Sequence, residues 1–169
     1  MSEKKRVILY TDGACSGNPG LGGYAGILMY GEHKREYSGA EKQTTNNRME
    51  VQAVIEGLKR LKYPCIVEVY SDSAYTVNPF LNGWVYGWAK KGWKKADGKP
   101  VLNVELWEEL FALTKVHEIT FFKVAGHADN EYNNRCDELA RRAITELRQN
   151  LSPEELALLE VQKQEVEEN

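Results

Sequence analysis

Two apolar, β-branched runs in this chain each stop at an aspartate. Val7-Ile8-Leu9-Tyr10 leads into Thr11-Asp12-Gly13-Ala14, and Val67-Glu68-Val69-Tyr70 leads into Ser71-Asp72-Ser73-Ala74. Short runs of this kind, cut off by turn-forming residues, read as strands. Between them the pattern predicts a turn-rich loop over residues 13–20, a strand over 24–30, a turn at Gly31-Glu32-His33 and a strand over 34–39, together an antiparallel meander. Thr44-Thr45-Asn46-Asn47 offers capping side chains for a helix over 48–62, which Tyr63-Pro64 ends. After a strand over 66–72, Ser73 caps a short helix that Asn78-Pro79 interrupts and residues 84–89 resume. Residues 90–100 read as loop, Asn103 caps a helix through 116, 118–124 form a further strand, and a loop over 126–130 precedes a helix over 131–149.

The order β-β-β-α-β-α-α-β-α predicts an α/β fold, a mixed five-stranded sheet with helices on its faces. Residues 1–149 make one domain, and 150–169 an acidic tail, partly helical or disordered. The tail has its own start signal, Ser152-Pro153-Glu154-Glu155, followed by Leu156, Leu159 and Lys163 at helical spacing.

Composition changes the picture in one respect. A hydrophobic fraction of 42% and a charged fraction of 28% are ordinary for a globular protein, and no stretch approaches a membrane span. Cys15, Cys65 and Cys136 are odd in number and widely spaced, so neither a disulfide framework nor a zinc site is predicted, and a cytoplasmic location follows. A net charge of −3 argues against nucleic acid as a partner. The charges are segregated, however. Trp84, Trp88 and Trp93 alternate with Lys90, Lys91, Lys94, Lys95 and Lys99 against a single acid, Asp97.

In an open α/β sheet, sites form beyond strand ends. If the two strands are neighbours, Asp12 and Asp72 stand side by side and repel unless a cation lies between them. In the first long helix Glu50 shares a face with Val54, Gly57, Leu58 and Leu61, so its carboxylate is aimed at the sheet that this stripe covers. Asp137 borders the stripe of Cys136, Leu139, Ala140, Ala143 and Ile144, near a helix start where the dipole favours an anion. Four carboxylates converging from two strand ends and two helix starts form an oxygen-only set suited to Mg²⁺ or Mn²⁺.

Several motifs occur in a telling order: Thr11-Asp12-Gly13-Ala14-Cys15-Ser16-Gly17-Asn18-Pro19-Gly20, Thr44-Thr45-Asn46-Asn47-Arg48-Met49-Glu50, Ser71-Asp72-Ser73, and Gly126-His127-Ala128 through Asn134-Arg135-Cys136-Asp137-Glu138-Leu139-Ala140. From about Arg6 to Leu147 the chain resembles cellular type 1 ribonuclease H. The resemblance implies a ribonuclease H-like fold and a metal-dependent endonuclease that cuts the RNA strand of RNA–DNA hybrids, leaving 5′-phosphate and 3′-hydroxyl ends. It implies that Asp12, Glu50, Asp72 and Asp137 bind two divalent ions, Mg²⁺ or in substitution Mn²⁺, with Asp12 bridging them, and that His127 assists proton transfer and product departure. Ions roughly 3.5–4 Å apart suit an in-line displacement.

Substrate contacts follow from the same resemblance. Asn18, Asn46 and the Cys15 backbone are expected at the minor groove, Asn47 near the metals, and Thr45 and Asn103 near a DNA phosphate. The segment holding Trp84, Trp88, Lys90, Lys91, Trp93, Lys94 and Lys95 matches the basic protrusion that grips the DNA strand, as aromatic faces and cationic stems suit a sugar–phosphate chain. With no hybrid-binding module ahead of the first strand, this segment is expected to supply most of the electrostatic affinity, and the protein to act as a monomer. Ala74 and Ala125 depart from the family pattern, where a glutamine and a lysine are common; neither removes a metal ligand, and the resemblance implies weaker grip or an altered sequence preference.

Two other readings compete: a hybrid-binding module that is catalytically weak, and a structural cation site in a protein of unrelated purpose. A strand-end aspartate commonly caps a turn, and taken singly Asp12 reads that way. The coincidence of four acids weighs against capping, and a mere binder has no use for four mutually repelling carboxylates. His33 and His117 read as loop hydrogen-bonders, Cys136 as core, and the tryptophans in part as a local core.

Overall fold

The structure, a computed structural model, describes residues 3–125 and 130–168. The elements run β1 (Lys5–Gly17), β2 (Gly20–Tyr30), β3 (His33–Thr44), α1 (Asn46–Lys59), β4 (Cys65–Ser71), α2 (Ala74–Leu81), α3 (Trp84–Lys90), α4 (Val104–Val116), β5 (Glu118–Lys123), α5 (Glu131–Gln149) and α6 (Pro153–Glu168). One five-stranded sheet has the order β3-β2-β1-β4-β5. β1 pairs antiparallel with β2 and parallel with β4, so the mixed sheet changes direction at its central strand. No helix among the described residues is long and apolar enough to cross a membrane.

Register explains where the aspartates fall. The β1–β4 ladder ends by pairing Tyr10 with Tyr70. Asp12 and Asp72 each lie two residues past that pair and emerge together at one end of the sheet. The alternation of Val7, Leu9 and Thr11 puts these side chains on the face covered by α1, where all three are buried. Val51, Val54, Ile55 and Leu58 of α1 join Trp107 and Leu110 of α4 and Phe121 of β5 in the main core on that face. Phe80 of α2 stacks on Phe121 with ring centroids 4.2 Å apart. The opposite face is covered by α5, whose Leu139 and Ala140 pack on Ala25 of β2.

Four local expectations are corrected. The loop expected over residues 13–20 is mostly strand: Gly13 to Gly17 pair with Tyr24 to Gly20, so the hairpin narrows to a turn at Asn18-Pro19. Turn-prone residues lose here to the ladder bonds that β2 offers. The third strand, expected over 34–39, runs on to Thr44, held by pairing with Gly20–Gly23. Pro79 does not interrupt α2 but sits inside it, buried. Asn103 precedes α4 in a left-handed conformation (φ 60°) and caps nothing with its side chain. The acidic tail carries α6, opened by a reciprocal capping box in which the Glu155 amide donates to Ser152 Oγ and the Ser152 amide to Glu155 Oε1.

Candidate active site

Each acid reaches the end of the sheet by a different route. Asp12 comes from β1, next to the buried Thr11, and is itself 6% exposed. Glu50 follows from the N-cap that starts α1: Thr45 Oγ1 accepts the Arg48 amide at 3.2 Å, fixing the helix so that Glu50 faces the sheet. The Gly13 amide then donates to Glu50 Oε1 at 2.5 Å. Only glycine fits at position 13, since a Cβ there would run into the Met49–Glu50 backbone. Asp72 leaves the end of β4, where Ser73 begins the cap of α2 by accepting the Thr76 amide at 3.2 Å.

Ligand atoms of Asp12, Glu50 and Asp72 all lie within 4.8 Å of one another. Burial pushes the Asp12 carboxyl up to about 7, and the negative charges of Asp72 and Asp137 add to the rise; the adjacent Glu50 carboxyl and the Gly13 amide pull part of it back. Glu50 is raised well above its ordinary value, again by burial first and then by Asp12 and Asp72. Its Oε2 is buried without a hydrogen-bond partner among the described residues. An orphaned carboxylate oxygen facing two other acids fits a hard divalent cation, which would supply the missing partner and offset the repulsion.

Asp137 stands apart from this triad. It lines the same open cleft, of about 530 Å³, with Asn46, Asn47 and Ser73 among its neighbours. Its Oδ2 is held by Arg141 Nη2 at 2.6 Å, one turn along α5. The structure thus brings three of the four expected acids together and leaves the fourth at the rim in an ion pair. Sequence reading missed Arg141, for which its i,i+4 spacing from Asp137 is the available signal. His127 lies outside the described residues.

Of the expected substrate contacts, Cys15, Asn46 and Asn47 line this cleft. Cys15 Sγ donates to the Thr44 carbonyl at 3.4 Å, and Asn18 Oδ1 accepts the Asn46 amide at 3.1 Å, so the β1–β2 turn is tied to the start of α1. Asn46 and Asn47 are exposed. Asn103 accepts from Arg48 Nη1 at 3.0 Å and donates to the Tyr75 hydroxyl at 2.9 Å. Trp107 Nε1 donates to the same hydroxyl at 3.2 Å, which makes Tyr75 an organising residue that sequence reading missed.

The basic segment divides in two. Lys90, Lys91, Lys94 and Lys95 are exposed, and so is Trp84. Trp88 and Trp93 instead pack against the core, meeting Trp107 and Phe111 edge-on at 5.7 and 5.6 Å. Trp93 adopts φ 65°, its carbonyl accepts the Val101 amide at 3.0 Å, and the Lys95 amide donates to the Lys99 carbonyl at 2.8 Å, closing the lysine-bearing tip. The two tryptophans hold up a platform, and the lysines are its exposed face.

The RNase H family profile matches residues 4–145. The chain is 59% identical over 143 residues to a ribonuclease H of Chlorobaculum parvum, covering 85% of this chain and 98% of that one. It is 61% identical over 140 residues to one of Acetivibrio thermocellus, covering 83% and 95%. Among solved structures it is similar to LC9-RNase H1, a type 1 RNase H with the type 2 active-site motif (TM-score 0.76, 30% identity, 86% of this chain and 74% of that one). It is also similar to LC11-RNase H1 in complex with RNA/DNA hybrid (TM-score 0.65, 25% identity, 83% and 98%).

Proposed function

The chain belongs to the ribonuclease H family, and on that premise we propose that it is an endonuclease cutting the RNA strand of RNA–DNA hybrids with two divalent ions, leaving 5′-phosphate and 3′-hydroxyl ends. The observation that carries this reading is the mutual approach of Asp12, Glu50 and Asp72 around the orphaned Glu50 Oε2.

Asp12, Glu50, Asp72 and Asp137 would hold the ions, Mg²⁺ or Mn²⁺. When bound, these supply activation of the attacking water and charge stabilisation at the departing 3′-oxygen. The chain's own residues position the rest. Gly13 orients Glu50 through its amide, and Thr45 fixes the start of the helix that carries it. Cys15, Asn18 and Asn46 present donors and acceptors to a minor groove whose 2′-hydroxyls distinguish RNA from DNA, and Asn47 sits beside the metal site. Thr45 and Asn103 lie beside Arg48, a suitable setting for a backbone phosphate. His127 shuttles a proton, and the lysine platform holds the DNA strand. Free Cys15, Cys65 and Cys136 fit a reducing, cytoplasmic setting, and we expect a monomer.

The test is incubation of the purified chain with labelled RNA–DNA hybrid, duplex RNA and duplex DNA, with and without Mg²⁺, followed by analysis of the product ends. Mg²⁺-dependent cleavage of the hybrid's RNA alone, with 5′-phosphates, is expected. Hybrid binding without cleavage would return the reading of a catalytically weak hybrid-binding module.

A further inference from the structure

Six glutamates and one lysine make up the charged residues of α6, and that lysine reaches the β1–β2 turn. Lys163 Nζ lies over Gly17 in the β1–β2 turn, so close that a Cβ there would come within 2.6 Å of it. Arg148, from the end of α5, donates to Ser16 Oγ at 2.8 Å. Lys42 comes from β3 and reaches Glu155 at 3.5 Å. The three cations, carried on α6, α5 and β3, line one cleft of about 290 Å³ against a single lining acid among the described residues, Glu160. With Glu155 paired to Lys42 and Glu160 in the lining, the three cations still outnumber the two acids, leaving a locally positive cleft in a chain of net charge −3.

Its position gives the site a partner. Ser16 and Gly17 lie between Cys15 and Asn18, the residues proposed to meet the minor groove. A minor groove is bordered on both sides by backbone phosphates, so a duplex seated on Cys15 and Asn18 brings a phosphate toward Ser16 and Gly17. We propose that the cleft between α6 and the β1–β2 turn, lined by Lys42, Arg148 and Lys163, is an anion subsite that receives a backbone phosphate of the bound hybrid. This rests on the ribonuclease H reading and adds to it an interaction remote from both the acids and the lysine platform. Lys163 and Arg148 are the phosphate donors. Lys42 is partly neutralised by Glu155 and contributes less.

The experiment is hybrid binding by fluorescence anisotropy on the full chain in EDTA, where cleavage does not interfere. The parent is compared with Lys163→Ala, Lys163→Arg and Lys163→Glu across a salt series. One neutralised phosphate contributes a slope of about 0.9 to log affinity against log salt, roughly a threefold change in affinity between about 50 and 200 mM. Lys163→Ala is expected to flatten the slope by that amount, Lys163→Arg to restore it, and Lys163→Glu to bind more weakly than Lys163→Ala. Single methylphosphonates placed along the DNA strand and then the RNA strand will each cost the parent affinity, except that at one phosphate the cost vanishes in Lys163→Ala. Affinity and slope unchanged in Lys163→Ala, with the parent binding hybrid normally, would overturn the subsite and leave the ribonuclease reading intact. A parent that binds no hybrid would overturn both.

Discussion

Arg141 Nη2 holds Asp137 Oδ2 at 2.6 Å, while Asp12, Glu50 and Asp72 form a cluster that does not include Asp137. The pair is mostly exposed, with 68% of the Arg141 side chain accessible. Exposed i,i+4 pairs of this kind are worth only about 0.3–0.5 kcal/mol. Such a hold is weak enough for a divalent ion to displace. On the proposed two-ion reading, Asp137 is a ligand in waiting and Arg141 its competitor.

Removing the competitor should therefore help the metal. Arg141→Ala is expected to tighten apparent Mn²⁺ affinity by isothermal titration calorimetry, by at most about fivefold, the factor set by an exposed pair of up to about 1 kcal/mol. In an Asp137→Asn background the same change should do nothing. An equal gain in both backgrounds would show that Arg141 acts through general charge rather than through Asp137.

Asp12 sets a pH dependence. Its carboxyl is raised from 3.8 to about 7, chiefly by burial. The folded chain thus binds more protons than the unfolded chain between those values, so metal-free stability falls as pH climbs from about 4 to 7. Asp12→Asn should remove much of that fall and gain on the order of a few kcal/mol at neutral pH in EDTA, while cleavage is lost. Urea denaturation at pH 4.5 and pH 7.5 checks the sign, and a parent that grows more stable across this window would contradict it. Saturating Mg²⁺ should recover stability for the parent, by about 2.7 kcal/mol at a hundredfold excess over Kd, and much less for Asp12→Asn.

His127 is expected to act on rate alone. A proton-transfer group contributes about 10²–10⁴-fold, so His127→Ala should slow turnover at saturating hybrid yet leave measurable cleavage and unchanged affinity. Full turnover in this variant would leave His127 with no part in the chemistry.

These predictions rest on features of unequal visibility in the sequence. Asp12 and Asp72 are legible because a β-branched run ending in a carboxylate is a local pattern, and parallel pairing needs only to bring the two runs into register. Glu50 is legible because its place on the stripe of Val54 and Leu58 is set by helical periodicity. The strand character of Gly13 to Gly17 is not, since it arises from ladder bonds to β2 that override the turn preference of glycine, serine and asparagine. Asn103 misleads for a related reason. Its side chain is drawn from capping to Arg48 and Tyr75, residues 55 and 28 positions away, and no local pattern encodes that. Charge pairs chosen among several nearby partners, such as Asp137 with Arg141, depend on side-chain placement that only the folded packing decides.

The tryptophans of the basic segment should separate by burial. Trp88 packs against Trp107, which is 1% exposed, whereas Trp84 is 50% exposed. Trp88→Ala is expected to destabilise the fold by a value toward the low end of the about 3–5 kcal/mol seen for buried tryptophans, and Trp84→Ala to leave stability within about 0.5 kcal/mol. Thermal melts of both variants check this. If Trp84→Ala weakens hybrid binding while Trp88→Ala lowers only stability, the exposed ring is the stacking surface and the half-buried one its support.

The lysine platform makes the sharpest contrast with the acids. Lys90, Lys91, Lys94 and Lys95 are exposed on a tip closed by the Lys95–Lys99 hydrogen bond, and none of them lines the cleft of Asp12, Glu50 and Asp72. Alanine at all four should leave the fold intact, since the tip is supported by Trp88 and Trp93 rather than by its charges. It should weaken hybrid binding and flatten the salt slope by about 0.9 for each phosphate no longer neutralised, while turnover at saturating hybrid changes little. Asp12→Asn should show the reverse, keeping affinity and losing chemistry. Parent affinity and salt slope in the lysine variant would mean that the tip holds no phosphate, and would leave the cleft of Arg148 and Lys163 as the stronger positive surface for the duplex.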